Sequence, residues 1–101
     1  MQVHIFAWAE EHLRTASNAE QAIIRKHIGK LRSGNVNEVH TKQLKGAIRE
    51  LIVGSHRLTY FSIGEHLYLI RGFRKKSQKT PKKEILQTER VYKMVMRQHT
   101  I

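Results

Sequence analysis

The chain contains no cysteine. Disulfides and thiolate chemistry are therefore excluded, and a reducing compartment fits. Acidic side chains are scarce, eight against nineteen Lys and Arg, for a formal net charge of +11. A chain so basic is drawn to polyanions: RNA, DNA, anionic lipid or an acidic protein. No apolar run approaches the roughly 20 residues of a membrane span. The N-terminus also lacks the basic, apolar, small-residue order of a signal peptide. These absences read as a cytoplasmic protein without a membrane partner. Seven histidines are present, yet none are spaced HxH or HxxxH and no acids cluster with them, so no metal site is expected. Paired catalytic carboxylates, a Gly-rich phosphate loop and a serine nucleophile motif are missing too, and no cofactor is expected.

What remains is enough for one folded domain over residues 1–101, with 40% hydrophobic residues. The core must be modest, because a domain this small buries only about two-thirds of its unfolded surface. Residues 3–16 carry a helical stripe of Ile5, Phe6, Ala9, Leu13 and Ala16. Val3 and Ile5 also alternate with polar neighbours, which allows a short strand over residues 2–6. Ser17-Asn18-Ala19-Glu20 reads as a capping box opening a second helix to about Arg32, with Ile24, Ile28 and Leu31 facing inward. Ser33-Gly34-Asn35 stops it. The first third, 3–32, is thus predicted to be a helical hairpin.

Residues 35–45 are polar and read as loop. The period then changes. Apolar runs at 47–53, 56–63 and 66–73 are separated by Gly54-Ser55 and Gly64-Glu65, a three-strand antiparallel meander. Thr80-Pro81 places a cap residue and a first-turn proline ahead of a last helix, 81–98. Its inward residues are expected to be Ile85, Thr88, Tyr92, Val95 and Met96. The predicted class is α+β: a small antiparallel sheet, a helical hairpin packed on it, and a C-terminal helix.

Arg71 through Lys83 holds seven basic side chains in thirteen positions and no acid. A charge run is usually a solvated face, but Lys82 and Lys83 open a helix, where cations oppose the macrodipole. A bound anion removes that penalty and uses the free backbone N–H groups. Arg71, Arg74, Lys75, Lys76, Lys79, Lys82 and Lys83 are therefore read as a nucleic-acid-binding cluster. Arg49 and Arg57 sit within apolar strands, and with Arg71 and Arg74 they are expected to line one open sheet face. Guanidinium groups match phosphate oxygens in pairs. Of Trp8, Tyr60, Phe61, Tyr68 and Phe73, most are expected in the core, with one exposed tyrosine available as a stacking platform. His56 and His66 flank the sheet and read as surface histidines. Glu50, the only acid inside a predicted strand, is expected to pair with a neighbouring cation.

LIRGFRKKSQKTPKKEI, residues 69–85, resembles the HigB-like branch of the RelE/ParE superfamily of toxins from type II toxin–antitoxin pairs. The pattern is an apolar strand, Gly-Phe, a basic pair, Gln-Lys-Thr-Pro and Glu-Ile. KQLKGAIREL (42–51) and HRLTYF (56–61) look like the family's second and third strands. The resemblance covers about residues 40–90. It implies a microRNase-like fold, an antiparallel sheet with two helices on one side. It also implies a metal-free, ribosome-dependent mRNA endonuclease in which the ribose 2′-OH attacks the adjacent phosphate. Arg57 and Arg74 then match residues that hold the scissile phosphate, and Lys75, Lys76 and Lys79 match the basic loop. Lys76 or Lys79 is the expected proton-transfer group, so the catalytic set is Arg57, Arg74, Lys76 and Lys79. Arg49, Arg71, Lys75, Lys82 and Lys83 are the expected RNA- and phosphate-binding set.

The implied partners are mRNA, the ribosome and a cognate antitoxin of helix-turn-helix type with an acidic contact surface. Two departures stand out. Ile52 occupies a position where many relatives carry arginine, and Arg49 lies three residues away, on the other strand face. The chain also starts almost at the first helix, so the usual opening strand is expected to be short, lost, or excluded by the choice of start. Those departures leave the reading of a catalytically weakened toxin homologue that binds antitoxin or nucleic acid. The superfamily's range adds a ParE-like gyrase inhibitor, and a basic domain that binds nucleic acid without sequence preference is a further alternative.

Overall fold

Three glycines set the connectivity of the sheet. Gly46, Gly54 and Gly64 have φ of 55°, 59° and 58°, and no other residue type has a positive φ among the described residues. Each is the first of two loop residues between paired strands (Gly46-Ala47, Gly54-Ser55, Gly64-Glu65). A positive φ at the first loop position only is the pattern of a type II′ turn, whose twist suits a hairpin. The computed structural model describes residues 1–99. Its elements are β1 (Gln2–Ile5), α1 (Ala7–Thr15), α2 (Asn18–Arg32), a 3-10 turn (Val36–Glu38), β2 (His40–Lys45), β3 (Ile48–Val53), β4 (His56–Ile63), β5 (His66–Arg74) and α3 (Lys82–His99). The sheet order is β1-β5-β4-β3-β2.

The α+β class and the helical hairpin are as expected, with corrections at the margins. The meander is present, but it is the middle of a five-stranded sheet. The sheet is mixed rather than antiparallel, because β1 pairs parallel with β5. Residues 2–5 are therefore strand, and α1 begins at Ala7, not near residue 3. Pairing decides this: Gln2 N donates to Glu65 O at 2.7 Å and Phe6 N to Leu69 O at 2.9 Å. The opening strand is thus present, though short. Residues 40–45, read as loop, form edge strand β2 against β3. An edge strand can stay polar on both faces, and lysine there discourages pairing with another chain. Leu44, the extra residue in a bulge between Gln43 and Lys45, is β2's contribution to the core.

Strand alternation sends apolar side chains to both faces. Ala9 and Leu13 of α1 and Ile24, Ile28 and Leu31 of α2 pack on Leu51, Val53, Leu58, Tyr60, Leu67 and Leu69. On the opposite face, Val91 and Val95 of α3 pack on Ile48, Phe61, Tyr68 and Ile70. Tyr60 and Phe61 point to opposite faces, as alternation requires. α3 buries Thr88, Val91 and Val95, while Ile85, Tyr92 and Met96 are half-buried. Val91 is the inward residue the stripe missed.

The Ser17–Glu20 capping box forms in both directions: Glu20 N donates to Ser17 Oγ at 3.1 Å, and Ser17 N to Glu20 Oε1 at 3.2 Å. Ser17→Ala lowers stability by about 1 kcal/mol. Urea denaturation with unchanged m-value checks this; an unchanged midpoint would show that the box carries no net stability.

Candidate functional site

One end of the sheet gathers most of the predicted cations. The β3–β4 turn, the start of β4 and the end of β5 meet there, since His56 pairs with Arg74 and Arg57 with Phe73. The basic loop leaves from the same point, tied down by Lys75 N donating to Ser55 O at 2.8 Å. Register then divides the two key arginines. Arg57 lies on the α3 face and Arg74 on the hairpin face, so they flank one sheet end from opposite sides.

The expectation that Arg49, Arg57, Arg71 and Arg74 line one open face is therefore corrected. Arg49 sits at the far end of β3 on the hairpin face, donating to Thr41 Oγ1 at 3.1 Å, away from the others. Arg71 is on the α3 face, held by Glu84 through Nε at 2.9 Å and Nη2 at 3.4 Å. The physical reason is the two-residue period of a strand together with a bulge. Thr59 pairs with Arg71 but Tyr60 with Leu69, so Ile70 is extra and the alternation of β5 shifts by one.

Arg57 is nearly buried, at 9% exposure. Its Nη1 donates to Gly54 O at 2.7 Å and His56 O at 3.0 Å. Its Nε lies 3.9 Å from Glu50 Oε1. Glu50, 1% exposed, is the expected cation partner and also accepts from Thr80 Oγ1 at 2.8 Å. Thr80, expected as the helix cap, instead latches the basic loop to the sheet and caps no backbone N–H among the described residues, and the helix begins at Lys82 rather than Pro81. Pro81 O instead accepts from Glu84 N at 3.0 Å and Ile85 N at 3.5 Å. A buried polar line continues beneath α3: Thr59 and Thr88 hydroxyls are 2.6 Å apart, and Arg71 N donates to Thr59 Oγ1 at 3.1 Å.

Arg74 is open, its side chain 46% exposed, with Nη1 donating to Ser55 Oγ at 3.2 Å and Nη2 3.6 Å from Glu20. Lys76, Lys79, Lys82 and Lys83 are exposed and Lys75 half-buried. None of these five lysines forms an ion pair among the described residues. A row of unpaired cations next to a helix N-terminus repels itself, and an anion relieves the repulsion.

Sequence reasoning missed the residues that brace Arg74. His56, expected at the surface, is 4% exposed. It bridges Glu20 Oε2 at 2.7 Å and His12 at 2.9 Å. The exposed aromatic is Trp8, not a tyrosine; Arg71 lies over its ring at 5.0 Å. The signal for this group was weak in sequence because the three elements involved are joined only by folding.

The hydrogen bond from His56, then those from Ser17, hold Glu20 down to about 2 from its ordinary 4.5. A lowered carboxylate pKa contributes stability that is complete above 4.5 and lost as pH falls toward 2. The stability gap between the native protein and Glu20→Gln therefore narrows across that window. Denaturation midpoints at a series of acidic pH values check it; a constant gap would contradict the pairing.

The family of phage-derived Gp49-like proteins (DUF891) matches residues 11–93. No curated protein matches the sequence significantly. Among solved structures, the chain is similar to the RelB–RelE antitoxin–toxin complex of Methanococcus jannaschii, at 16% identity and a TM-score of 0.61. That likeness covers 71% of this chain and 89% of the other. It is also similar to the toxin–antitoxin complex RelBE2 of Mycobacterium tuberculosis, at 15% identity and a TM-score of 0.59, over 73% and 96% of the two chains. These likenesses establish the fold: a RelE-like sheet and its helices.

Proposed function

This chain belongs to the phage-derived Gp49-like family, and on that premise we propose that it is the toxin of a type II toxin–antitoxin pair. Its activity is that of a ribosome-dependent mRNA endonuclease. The supporting observation is the basic sheet end: Arg57 and Arg74 flank it, and the loop and first helical turn that follow carry five lysines without ion pairs among the described residues. In the reaction, the ribose 2′-oxygen attacks phosphorus and the 5′-oxygen leaves, giving a 2′,3′-cyclic phosphate and a 5′-OH. Negative charge grows on the phosphate oxygens. Fixed cations stabilise that charge without reorganising, and such stabilisation is often the dominant contribution to catalysis. Arg74 is the accessible guanidinium, while Arg57 is nearly buried beside Glu50. On this reading Lys76 and Lys79, exposed on the loop that leaves β5, meet the same anion, and Arg49, bonded to Thr41 at the far end of β3, does not.

A HigB-like subtype is part of this reading. The neighbouring solved toxins are bound to antitoxins, and a chain of charge +11 favours an antitoxin with an acidic contact surface. One observation favours the weakened-homologue reading. Arg57 is partly occupied by Glu50 and pairs across the strands with Ile52, where many relatives of the HigB type carry arginine.

The test is cleavage of a defined mRNA in a purified translation system, with and without ribosomes, followed by analysis of the product ends. Ribosome-dependent cuts with 5′-OH ends are expected, and Arg74→Ala lowers the rate about 100- to 1,000-fold. Absence of cleavage by folded, antitoxin-free protein would leave the binding reading. DNA damage without transcript cleavage would point to gyrase instead.

A further inference from the structure

Three side chains from three elements form a hydrogen-bonded chain that ends in a free ring nitrogen. Glu20 Oε2 of α2 is 2.7 Å from His56 Nε2 of β4, and His56 Nδ1 is 2.9 Å from His12 Nε2 of α1. An ionised carboxylate can only accept, so His56 Nε2 carries a proton. With both rings neutral, His56 Nδ1 accepts from His12 Nε2–H. His12 then keeps its lone pair on Nδ1, which makes no hydrogen bond among the described residues. The opposite side of His12 rests on Gly72, where an added Cβ would lie only 2.6 Å from His12 Cβ. A side chain at residue 72 would displace the ring.

The ring borders a groove of about 260 Å³ lined by Trp8, Glu11, His12, Thr15, Arg71 and Gly72. An exposed indole offers a base a stacking surface. Arg74 lies at the relay's other side, through Glu20. A nucleotide in this groove therefore meets an aromatic face, the Arg71 guanidinium held by Glu84 and an imidazole lone pair, with Arg74 across the relay.

We infer that His12 is the general base of the site, with His56 and Glu20 as the positioning residues that fix its tautomer and take up the charge. The inference rests on the RNA-cleavage reading above. The ribose 2′-OH gives its proton to His12 Nδ1 as the 2′-O–P bond forms. The His12 Nε2 proton passes to His56 Nδ1, and the imidazolium charge settles beside the Glu20 carboxylate. The P–O5′ pair leaves with the 5′-oxygen, which takes a proton from water. The relay later returns its own proton to the hydroxide so formed. His12 is faced by His56 from β4, Arg71 and Arg74 from β5, Glu20 through His56 from α2, Glu84 from α3, and Glu11 on its own helix. Burial, then His56 and Arg74, lower its pKa from 6.5, with Glu84 opposing them. The ring is thus neutral, and basic, near physiological pH.

The test is single-turnover cleavage of ribosome-bound mRNA by the full chain across pH, comparing native protein, His12→Ala, His12→Gln and Glu20→Gln. Circular dichroism first establishes which variants are folded. Native cleavage should rise with pH through an apparent pKa below 6.5 and then level. His12→Ala and His12→Gln should lose about 100-fold or more and the acidic limb, and added imidazole should partly rescue the alanine variant. Glu20→Gln preserves the capping-box pattern but removes the charge that stabilises the imidazolium. It should slow cleavage and move the acidic limb to lower pH. Native-like rates and pH profiles in folded His12 variants would overturn the relay and leave the RNA-cleavage reading standing. No cleavage by the native protein would overturn both.

Discussion

Arg57→Met lowers the stability of the protein by about 3–5 kcal/mol, the usual cost of removing one partner from a buried ion pair. Glu50 is 1% exposed, accepts from Thr80, and has Arg57 as its neighbouring cation, 3.9 Å away, which the substitution removes. Its carboxylate cannot reach water, so its charge would be left nearly uncompensated. The hydrogen bonds from Arg57 to Gly54 O and His56 O would go as well, loosening the β3–β4 turn. The measurement is the denaturation midpoint of the purified chain. The double variant Glu50→Leu/Arg57→Met should recover most of the loss, because an apolar pair of similar volume commonly replaces a buried ion pair at little cost. An Arg57→Met midpoint equal to that of the native protein would mean that the 3.9 Å separation is too long for the pair to matter. The same experiment guards the functional reading. A fall in cleavage by Arg57 variants means loss of phosphate contact only at temperatures where the variant is shown to be folded.

Phe61→Ala is expected to cost about 3–5 kcal/mol. Phe61 is fully buried on the α3 face, stacked with Tyr68 at 5.2 Å and edge-on to Tyr92 at 5.1 Å. It is the aromatic that joins α3 to the middle of the sheet, beside Val91 and Val95. Truncation leaves a void between rigid strands that cannot close, so the loss exceeds what moving the ring out of water contributes. α3 would loosen first, since Phe61 belongs to the cluster on which Val91 and Val95 pack. Amide exchange should show α3 losing protection more than α1 and α2, which have a separate core on the other face. Equal loss across all three helices would mean that the two cores unfold as one unit with no local opening.

The central strands and most helices were legible in the linear pattern because each carries its own local signal. Ser17 and Glu20 stand at capping-box spacing, and the box forms. Gly54 and Gly64 punctuate apolar runs, and both adopt the left-handed backbone a tight hairpin needs. β1 and β2 were the hard cases. Both are edge strands: β1 carries only the short Val3/Ile5 alternation, which also fits a helix start, and is paired by the distant β5, while β2 is largely polar and is paired by β3. No local preference distinguishes such a segment from a helix start or a loop.

The candidate site divides in the same way. The basic run and the arginines are visible as composition, because charge is a property of each residue wherever it lies. Which cations act together depends on strand register. The bulge at Ile70 puts Arg71 on the face with Arg57 and Arg74 on the other, and the length of β3 leaves Arg49 remote. Burial likewise depends on packing, which made His56 an interior link between His12 and Glu20. By itself, then, the sequence determined a basic α+β domain and the position of its phosphate-seeking run, since periodicity, turn chemistry and charge are local. Only the tertiary structure decided which arginine is open, which is held by Glu50, and that Glu20, His56 and His12 form one chain. Those relations join residues up to 44 positions apart, and only the folded sheet with a helical hairpin packed on it brings them within hydrogen-bond reach.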